Sequence, residues 1–256
     1  MRSRDEVQRV LALVSQGLND CEISRTTGIA RSTVREWRHG LHFRLSRAPS
    51  DCHRDAGGRP RCLERHDFER LPSEAYSYLL GVYLGDGCIS AGRRGVWRLR
   101  LFMDAAYPGI IEESCGAMEA VVPGKHAHPY KHPHESCVEI SMYWKHWPCL
   151  IPQHGPGRKH LRPIVLAQWQ ANIVAVAHKA FLRGLVHSDG CRVVTNDRGV
   201  ASVRYHFTNC SKDIRELFCN SLDALGIAWT RPCDREVAVY RKRCVATLDT
   251  FIGPKQ

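Results

Sequence analysis

The chain has 256 residues, of which 43% are hydrophobic and 25% charged, and its formal net charge is +11. This length and composition exclude an intrinsically disordered chain and leave room for one medium and one small folded domain. The surplus of Lys and Arg favours polyanionic partners, although RNA and acidic membranes also attract basic proteins. No stretch reaches the roughly 18 uninterrupted apolar residues that a membrane span needs, so we expect no membrane partner.

The 12 cysteines fit a reduced, cytoplasmic protein better than a disulfide-bonded one. The charged N-terminus is followed by a short, interrupted apolar stretch, which does not fit a secretory signal peptide. Several thiols lie inside apolar periodic segments, where reduced Cys packs as a small core residue. Cys88, Cys115, Cys191 and Cys219 are of this kind. We therefore predict a cytoplasmic location.

Residues 5 to 40 carry the pattern of three short helices. Apolar residues recur on one helical stripe from about Asp5 to Gln16. Asn19 or Asp20 is placed to cap a short second helix. Gly28 follows at a tight turn, where a positive φ is useful. A third helix is predicted from about Arg31 to Arg38.

This arrangement resembles the helix-turn-helix units of many bacterial regulators and recombinases, and we assign it to residues 1–43. The resemblance implies that one face of the third helix contacts bases and phosphates in the DNA major groove. The residues on that face are Arg31, Ser32, Thr33, Arg35 and Arg38. The alternative is a three-helix unit used for protein contacts, with its arginines in solvent.

Residues 44–70 lose periodicity and are rich in Arg, Pro, Gly and Asp, so they are predicted to form a basic linker. Cys52, Cys62 and His66 lie in this segment, and thiolates and imidazoles form tetrahedral zinc sites. The nine residues between the two cysteines, and the adjacency of Cys52 and His53, do not match a regular zinc motif. A flexible basic linker is the favoured interpretation.

The remainder of the chain contains an internal repeat. LLGVYLGDGC (residues 79–88) matches LRGLVHSDGC (residues 182–191), 103 positions later. Three further matches follow in the same order, at offsets of 97 to 105. They pair WRLRLFMD with SVRYHFTN, ESCGAMEAV with LFCNSLDAL and EISMYWK with EVAVYRK. The first of these places Phe102 opposite Phe207. Four ordered matches indicate a duplicated structural unit.

Each unit is predicted to run helix, strand, strand, helix, strand, strand, helix. The fold class is therefore α+β, with two αββαββα units, in residues 71–160 and 161–256, preceded by a small all-α domain. The two motif helices are predicted over about Ser73 to Gly85 and about Gln168 to Ser188. Because the duplication supplies a pseudo-two-fold axis within one chain, a monomer is sufficient.

The motif helices carry small residues four positions apart on one face, which lets two helix backbones approach closely. These residues are Gly81 and Gly85 in the first helix and Gly184 and Ser188 in the second. Pairing the helices along these faces would bring Asp86 and Asp189 together at the helix C-terminal ends. The negative end of the helix dipole and mutual repulsion both disfavour carboxylates there.

Divalent cations between Asp86 and Asp189 would account for this arrangement. Carboxylate oxygens suit Mg²⁺, and two or more such ions support phosphodiester hydrolysis. The alternative is that each Asp-Gly pair simply ends a helix, which is a common use of that dipeptide.

The two motifs resemble those of single-chain LAGLIDADG homing endonucleases, over roughly residues 71–253. The resemblance implies two pseudo-symmetric αββαββα units whose saddle-like sheets lie along the major groove of double-stranded DNA. It also implies one metal-binding catalytic acid per motif, which are Asp86 and Asp189 here.

Other site residues follow from the same resemblance. Members of the family place a Lys near the end of the last strand pair, and Lys145 and Lys242 match this position as catalytic residues. They also place a polar residue near the end of the second strand, for which Asp104 and Asn209 are the matches.

Outward residues on the predicted strands are candidates for groove contacts, because strand alternation puts them on one sheet face. They are Arg98, Arg100, Arg204 and His206. Solvated sheet surface is the alternative for these side chains.

Two functions compete. One is a Mg²⁺-dependent, site-specific double-strand DNA endonuclease that uses its helix-turn-helix for additional specificity. The other is a regulator that binds without cutting, similar to WhiA-like proteins, which join a non-cleaving LAGLIDADG-like domain to a helix-turn-helix at the other end of the chain. An RNA-processing role is a third class that basic charge alone does not separate from DNA binding.

Overall fold

The computed structural model describes residues 4–38, 66–133, 135–197, 199–253 and 255. It divides the chain into two compact units, Met1–His66 and Asp67–Gln256, which are considered separately. Most of the predicted linker, with the zinc candidates Cys52 and Cys62 and the neighbouring His53, lies outside the described residues. Among the described residues, no helix is both long and apolar enough to pass through a membrane.

The first unit contains three helices: α1 (Arg4–Ser15), α2 (Asp20–Thr27) and α3 (Arg31–Arg38). Asn19 caps α2, since its side-chain oxygen accepts from the backbone amides of Cys21 and Glu22 at 3.0 and 3.1 Å. The Glu22 carboxylate in turn accepts from the Asn19 amide at 2.8 Å, which completes a capping box. Gly28 ends α2 with φ +69°, the left-handed conformation that glycine adopts without strain.

A small apolar core holds the three helices together. Its fully buried members are Val10, Ile23, Ile29, Val34 and Trp37. Burying side chains of this size contributes roughly 1.5–3 kcal/mol each before entropy is counted. The core explains why the outward side of α3 is left to polar and basic residues.

The second unit contains two αββαββα repeats, the second of which has an additional helix, α7 (Gln168–Val176), before its motif helix. The first comprises α4 (Ser73–Asp86), β1 (Gly87–Ala91), β2 (Trp97–Asp104), α5 (Pro108–Val121), β3 (His128–Lys131), β4 (Cys137–Trp144) and α6 (Trp147–Leu150). The second comprises α7 (Gln168–Val176), α8 (His178–Asp189), β5 (Gly190–Asp197), β6 (Val200–Thr208), α9 (Lys212–Ala224), β7 (Thr230–Cys233), β8 (Glu236–Val239) and α10 (Lys242–Asp249). Both sheets are antiparallel, in the orders β1-β2-β4-β3 and β5-β6-β8-β7. The predicted α+β fold class is confirmed.

One predicted helix is two helices in the structure. The motif helix expected from Gln168 to Ser188 is interrupted at Ala177, whose φ of −136° and ψ of 40° are not helical. Polar contacts hold α7 in place: the buried Gln170 amide donates to the Tyr76 hydroxyl at 2.7 Å. Because apolar residues continue across Ala177, the sequence pattern gives no sign of the break.

The strand register corrects one pairing within the repeat. Leu101 is opposite Gly87 at the start of β1, and Phe207 is opposite Gly190 at the start of β5. Leu101 is therefore the counterpart of Phe207, and the predicted pairing with Phe102 was wrong by one residue. A shift of one residue reverses the sheet face, and Phe102 lies on the outer face while Phe207 is fully buried.

Helices α4 and α8 pack backbone against backbone at the centre of the unit. A Cβ atom added to Gly81 would lie 2.5 Å from the carbonyl oxygen of Phe181. A Cβ atom on Gly184 would lie 2.2 Å from the carbonyl oxygen of Tyr78. Real side chains do not approach backbone atoms so closely, so only glycine fits at either position. This contact sets the spacing of the two helix ends.

Candidate active site

Asp86 and Asp189 are the last residues of α4 and α8, and the close helix contact brings their ends together. A Cβ atom on Gly85 would lie 2.2 Å from the Ser188 hydroxyl and 2.9 Å from a carboxylate oxygen of Asp189. Burial, followed by the charge of Asp189, raises the pKa of Asp86 to about 6. Burial also raises the pKa of Asp189. The structure thus places the two predicted acids in one shared, electrostatically unfavourable position.

The two acids have different polar neighbours. The Asn209 amide donates to a carboxylate oxygen of Asp189 at 2.6 Å, which opposes the rise in the Asp189 pKa. Asp104 is exposed, and its carboxylate accepts from the backbone amide of Ala106 at 2.9 Å. Asp104 and Asp86 line one cavity of about 320 Å³. Asn209 thus contacts its acid directly, whereas Asp104 only adds a carboxylate near Asp86. By the strand register Asp104 is equivalent to Cys210, so the predicted match of Asp104 with Asn209 is off by one residue.

Two lysines cap the motif helices at the acids. The Lys159 ammonium donates to the carbonyl oxygens of Tyr83, Leu84 and Gly85 at 2.5, 2.9 and 2.7 Å. The Lys255 ammonium donates to the carbonyl oxygen of His187 at 2.9 Å. The Leu84, Gly85 and His187 carbonyls are last-turn acceptors that their own helices leave unpaired, whereas the Tyr83 carbonyl also accepts from the Gly87 amide. Each repeat thus supplies a cation to the negative end of its own motif helix.

The charges of both lysines act on the acids. Lys159 and Lys255 each lower the pKa of Asp86 and of Asp189, against the effect of burial. Burial lowers the pKa of Lys159 to about 8, and the two acids oppose that change. Burial likewise lowers the pKa of Lys255. The site therefore contains two acids and two amines whose protonation is interdependent.

Lys145 and Lys242, the predicted catalytic lysines, lie at the ends of their sheets that are farther from Asp86 and Asp189. Gly87, next to Asp86, is level with Leu101 and Ile140, and β4 runs away from the acid from that point. Lys145 follows Ile140 by five residues, about 16 Å at the rise of a strand. Lys242 follows Val237, which is level with Gly190, by the same number of residues. Both side chains are exposed.

A sequence signal for the two lysines beside the acids was present but missed. Lys159 ends the stretch GPGRK at residues 155–159, and Lys255 ends GPK at residues 253–255. The distance along the chain between the two stretches is close to that between the other matched segments. However, the first stretch is two residues longer than the second. Alignment without gaps does not pair them.

The four predicted groove residues lie on the outer faces of the two sheets. Arg98 and Arg100 alternate with buried Leu99 and Leu101 along β2. Arg204 and His206 alternate with buried Tyr205 and Phe207 along β6 in the same way. Each of Arg98 and Arg204 lies over a tyrosine ring, Tyr143 at 5.3 Å and Tyr240 at 5.1 Å respectively.

The outer face also carries two acids that sequence reasoning did not single out. Glu139 contacts both Arg98 and Arg100, and Glu236 contacts His206. Alternation along one strand reveals which residues face outward, but cross-strand partners depend on register, which the sequence does not show.

In the first unit, α3 exposes Arg31, Ser32 and Arg35, while Thr33 is half-buried. Arg38 is placed differently from the prediction. Its guanidinium contacts the Asp20 carboxylate at 2.8 Å and donates to the Leu18 carbonyl oxygen at 2.6 Å. These contacts join α3 to α2, so Arg38 is directed to the domain itself and not to a groove.

Replacing Asp86 by Asn should stabilise the protein above pH 6 in the absence of divalent cations. The pKa of Asp86 is raised to about 6 by burial, so folding favours the protonated form. The stabilising contribution is complete below the unfolded pKa near 4 and is lost as the pH rises through about 6. Asp86→Asn removes this loss, which we expect to be about 1–3 kcal/mol at pH 7.5.

Urea unfolding of the wild-type and Asp86→Asn proteins at pH 4 and pH 7.5, both in EDTA, measures this difference. The two free energies of unfolding should be similar at pH 4 and should separate at pH 7.5. A variant that is less stable than wild type at pH 7.5 would contradict the unfavourable placement of this carboxylate.

Comparisons with known proteins found one matching family and several similar solved structures. Residues 1–46 match the homeodomain-like domain family. No curated protein sequence matches the chain. One similar solved structure is I-DmoI in complex with DNA and Mn, at 16% identity and a TM-score of 0.44, covering 72% of this chain and 98% of that one.

Two other structures are similar to the same extent. The N-terminal LAGLIDADG domain of DUF199/WhiA has 15% identity and a TM-score of 0.43, covering 74% of this chain and 89% of that one. The homing endonuclease I-WcaI, bound to its DNA recognition sequence, has 12% identity and a TM-score of 0.45, covering 72% of this chain and 83% of that one. Both classes of protein that the motifs resemble are therefore among the structures similar to this chain.

Proposed function

We propose that this protein binds double-stranded DNA as a monomer and hydrolyses phosphodiester bonds at a specific site with the help of divalent cations. The observation that carries this proposal is the position of Asp86 and Asp189 at the abutting C-terminal ends of α4 and α8. Burial, the helix dipoles and mutual repulsion all oppose their ionisation. Amides at both positions would be more stable in a domain used only for binding, and unfavourable groups of this kind are typical of functional sites.

The donor set fits a hard cation. Asp86 and Asp189 offer carboxylate oxygens, and Asp104 adds another on the cavity beside Asp86. Oxygen ligands of this type suit Mg²⁺. When bound, Mg²⁺ lowers the pKa of a water molecule and stabilises the leaving oxygen in phosphodiester hydrolysis.

The remaining residues of the site have separate tasks. Asn209 donates to Asp189 and so fixes the orientation of that carboxylate. Lys159 and Lys255 are anchored on helix carbonyls and place positive charge where a scissile phosphate would lie. With its pKa lowered to about 8, Lys159 also exchanges a proton near neutral pH, which suits general acid–base catalysis.

The outer sheet faces and α3 are proposed to hold the DNA. Arg98, Arg100, Arg204 and His206 project from the two sheets, on the sides facing away from the helices. Exposed Arg31, Ser32 and Arg35 supply a second contact surface in the first unit. DNA binding by basic residues of this kind weakens as the salt concentration rises, because the release of counterions from the DNA then contributes less free energy.

A second candidate is a DNA-binding regulator that does not cut. The observation in its favour is that Lys159 and Lys255 already place two cations beside Asp86 and Asp189. The acids are then partly neutralised without a metal ion. The homeodomain-like first unit is compatible with either function.

Incubation with a supercoiled plasmid library carrying random inserts, in Mg²⁺ and in EDTA, separates the two candidates. The nuclease is expected to linearise a small set of plasmids in Mg²⁺ alone, and sequencing of the ends should define one site. Binding to the same library without cleavage under any divalent cation would favour the regulator.

Arg35→Ala should weaken DNA binding without changing stability. Arg35 is exposed on α3, so its loss removes a base or phosphate contact while the core is untouched. We expect a fall in affinity of about 5–10-fold. If the contact is to phosphate, the slope of log K against log salt concentration should also become shallower by about one.

Arg9→Ala is the matched control, because Arg9 is exposed on α1 and carries the same charge. It should weaken binding by less than about twofold. Fluorescence anisotropy with duplex DNA at several salt concentrations measures both variants. Equal effects of the two substitutions would show that α3 has no special role.

A further inference from the structure

Glu139 lies on the outer face of the first sheet, but basic side chains around it leave only 6% of its surface exposed. Its carboxylate accepts from the Arg98 guanidinium through a short hydrogen bond. The same carboxylate lies 3.8 Å from the Arg100 guanidinium and 3.7 Å from the His132 ring. One acid thus contacts three basic residues on a surface that otherwise attracts phosphates.

The two arginines are held at more than one point. Arg98 also donates to the Ser141 hydroxyl at 3.1 Å and lies over the Tyr143 ring at 5.3 Å. Arg100 lies over the Phe102 ring at 5.7 Å. The exposed fraction of each arginine side chain is only 31%. Neither guanidinium is therefore free to swing toward a distant phosphate without breaking several contacts.

The same arginines retain unused donors. Within the described part of the chain, the Nε atoms of Arg98 and Arg100 are buried and have no hydrogen-bond partner. These Nε atoms are enclosed, but each guanidinium keeps a terminal amine, Nη1 of Arg98 and Nη2 of Arg100, that makes none of the contacts above and is available to an acceptor on DNA. Guanine presents two such acceptors, O6 and N7, at the edge of the major groove.

We propose that Glu139 determines how this face reads DNA: it fixes Arg98 and Arg100 for contacts with base edges and repels phosphates from them. The proposal rests on the DNA binding proposed above. A pinned guanidinium loses less entropy on binding than a mobile one, whose immobilisation costs up to about 2 kcal/mol. A carboxylate beside it is unfavourable to a phosphate but not to an uncharged base, and such repulsion is a source of specificity.

The second sheet provides an internal comparison. Glu236 is the counterpart of Glu139 in the repeat, and its carboxylate contacts the His206 ring. Arg204 lies over Tyr240, and β6 carries His206 at the position of Arg100, so Glu236 faces one arginine of β6 and not two. The arrangement of one acid holding two arginines thus belongs to the first sheet.

Glu139→Gln, Glu139→Asp and Glu236→Gln test the proposal in the full-length protein. The probe is a random-sequence duplex, with affinity measured from 50 to 300 mM NaCl. Glu139→Gln should bind about 5–20-fold more tightly at low salt. The plot of log K against log salt should be steeper by about one to two, since each freed arginine that reaches a phosphate adds about 0.9.

Glu139→Asp separates release of the arginines from the change in net charge. It keeps the charge but shortens the side chain, so it should also bind random DNA more tightly than wild type, though less than Glu139→Gln does. Glu236→Gln removes the same charge beside one arginine and not two, so the slope of its salt dependence should change by no more than about half as much as that of Glu139→Gln. In selection from a randomised pool, Glu139→Gln should lose the preference for guanine at a subset of positions.

Several results would overturn the proposal. Unchanged or weaker binding of Glu139→Gln to random DNA would do so, as would equal effects of Glu139→Gln and Glu236→Gln. Thermal melting of each variant establishes that it is folded at the assay temperature, and the shape-conserving Gln makes unfolding at 25 °C unexpected. If wild type shows no salt-dependent affinity for DNA, the proposed function fails as well, which distinguishes that failure from the failure of the Glu139 role alone.

Discussion

Asp86→Asn and Asp189→Asn are each expected to lower the rate of the proposed DNA cleavage by at least about 10³-fold. Each substitution removes a charged ligand from the shared site, and loss of several kcal/mol of metal-derived transition-state stabilisation corresponds to this factor. Both amides keep the shape of the carboxylate, so the helix ends and the sheets should be unchanged. Affinity for DNA in EDTA should stay the same or rise, because a negative charge next to the scissile phosphate is removed.

The readouts are cleavage of the selected target in Mg²⁺ and anisotropy of the same duplex in EDTA. Asp234→Asn is the control, since Asp234 is exposed in the turn between β7 and β8 and makes the same change of charge. Its cleavage rate should lie within about twofold of wild type. Full activity of either Asp86→Asn or Asp189→Asn would remove that acid from the chemistry.

The position of Lys159 at the end of α4 could not be predicted from the sequence. The acids were predictable because an Asp-Gly pair follows the apolar pattern of both motif helices at the same position. The glycine of each pair marks the end of the helix in the sequence. Lys159 reaches α4 by a crossing of the chain after β4, and it contacts residues about 75 positions away. No periodicity records such a crossing, whereas the family resemblance points to Lys145 and Lys242, which follow the last strand of each repeat.

In the sheets, the sequence predicts which residues face outward but not which residues of neighbouring strands lie beside them. Alternation along β2 predicted that Arg98 and Arg100 share a face, and the structure agrees. Which residue of β4 lies beside them depends on register, and the one-residue error at Phe102 shows how readily register is lost in an ungapped comparison. The role proposed for Glu139 depends on that register. The break at Ala177 is similar, since it arises from packing of α7 that local sequence does not encode.

Gly184→Ala is expected to destabilise the second unit by at least about 3 kcal/mol and to abolish cleavage. A Cβ atom at this position would lie 2.2 Å from the Tyr78 carbonyl oxygen and 3.0 Å from the Val82 amide nitrogen. Both are backbone atoms of α4, so relief requires the helices to separate. Overpacking of a rigid core costs typically 1–3 kcal/mol, and a backbone contact leaves less room for relaxation. Separation would also pull Asp86 and Asp189 apart.

Gly116→Ala gives the opposite result and serves as the matched control. Gly116 is exposed within α5, and a Cβ atom there would meet nothing within 4 Å. Alanine in an open helical position should therefore stabilise the protein by about 0.5–1 kcal/mol. Thermal melting should show a fall of roughly 6–12 °C for Gly184→Ala and a small rise for Gly116→Ala, at 2–4 °C per kcal/mol. Equal melting temperatures for the two variants would mean that α4 and α8 are not in backbone contact, and the shared acid site would lose its structural basis.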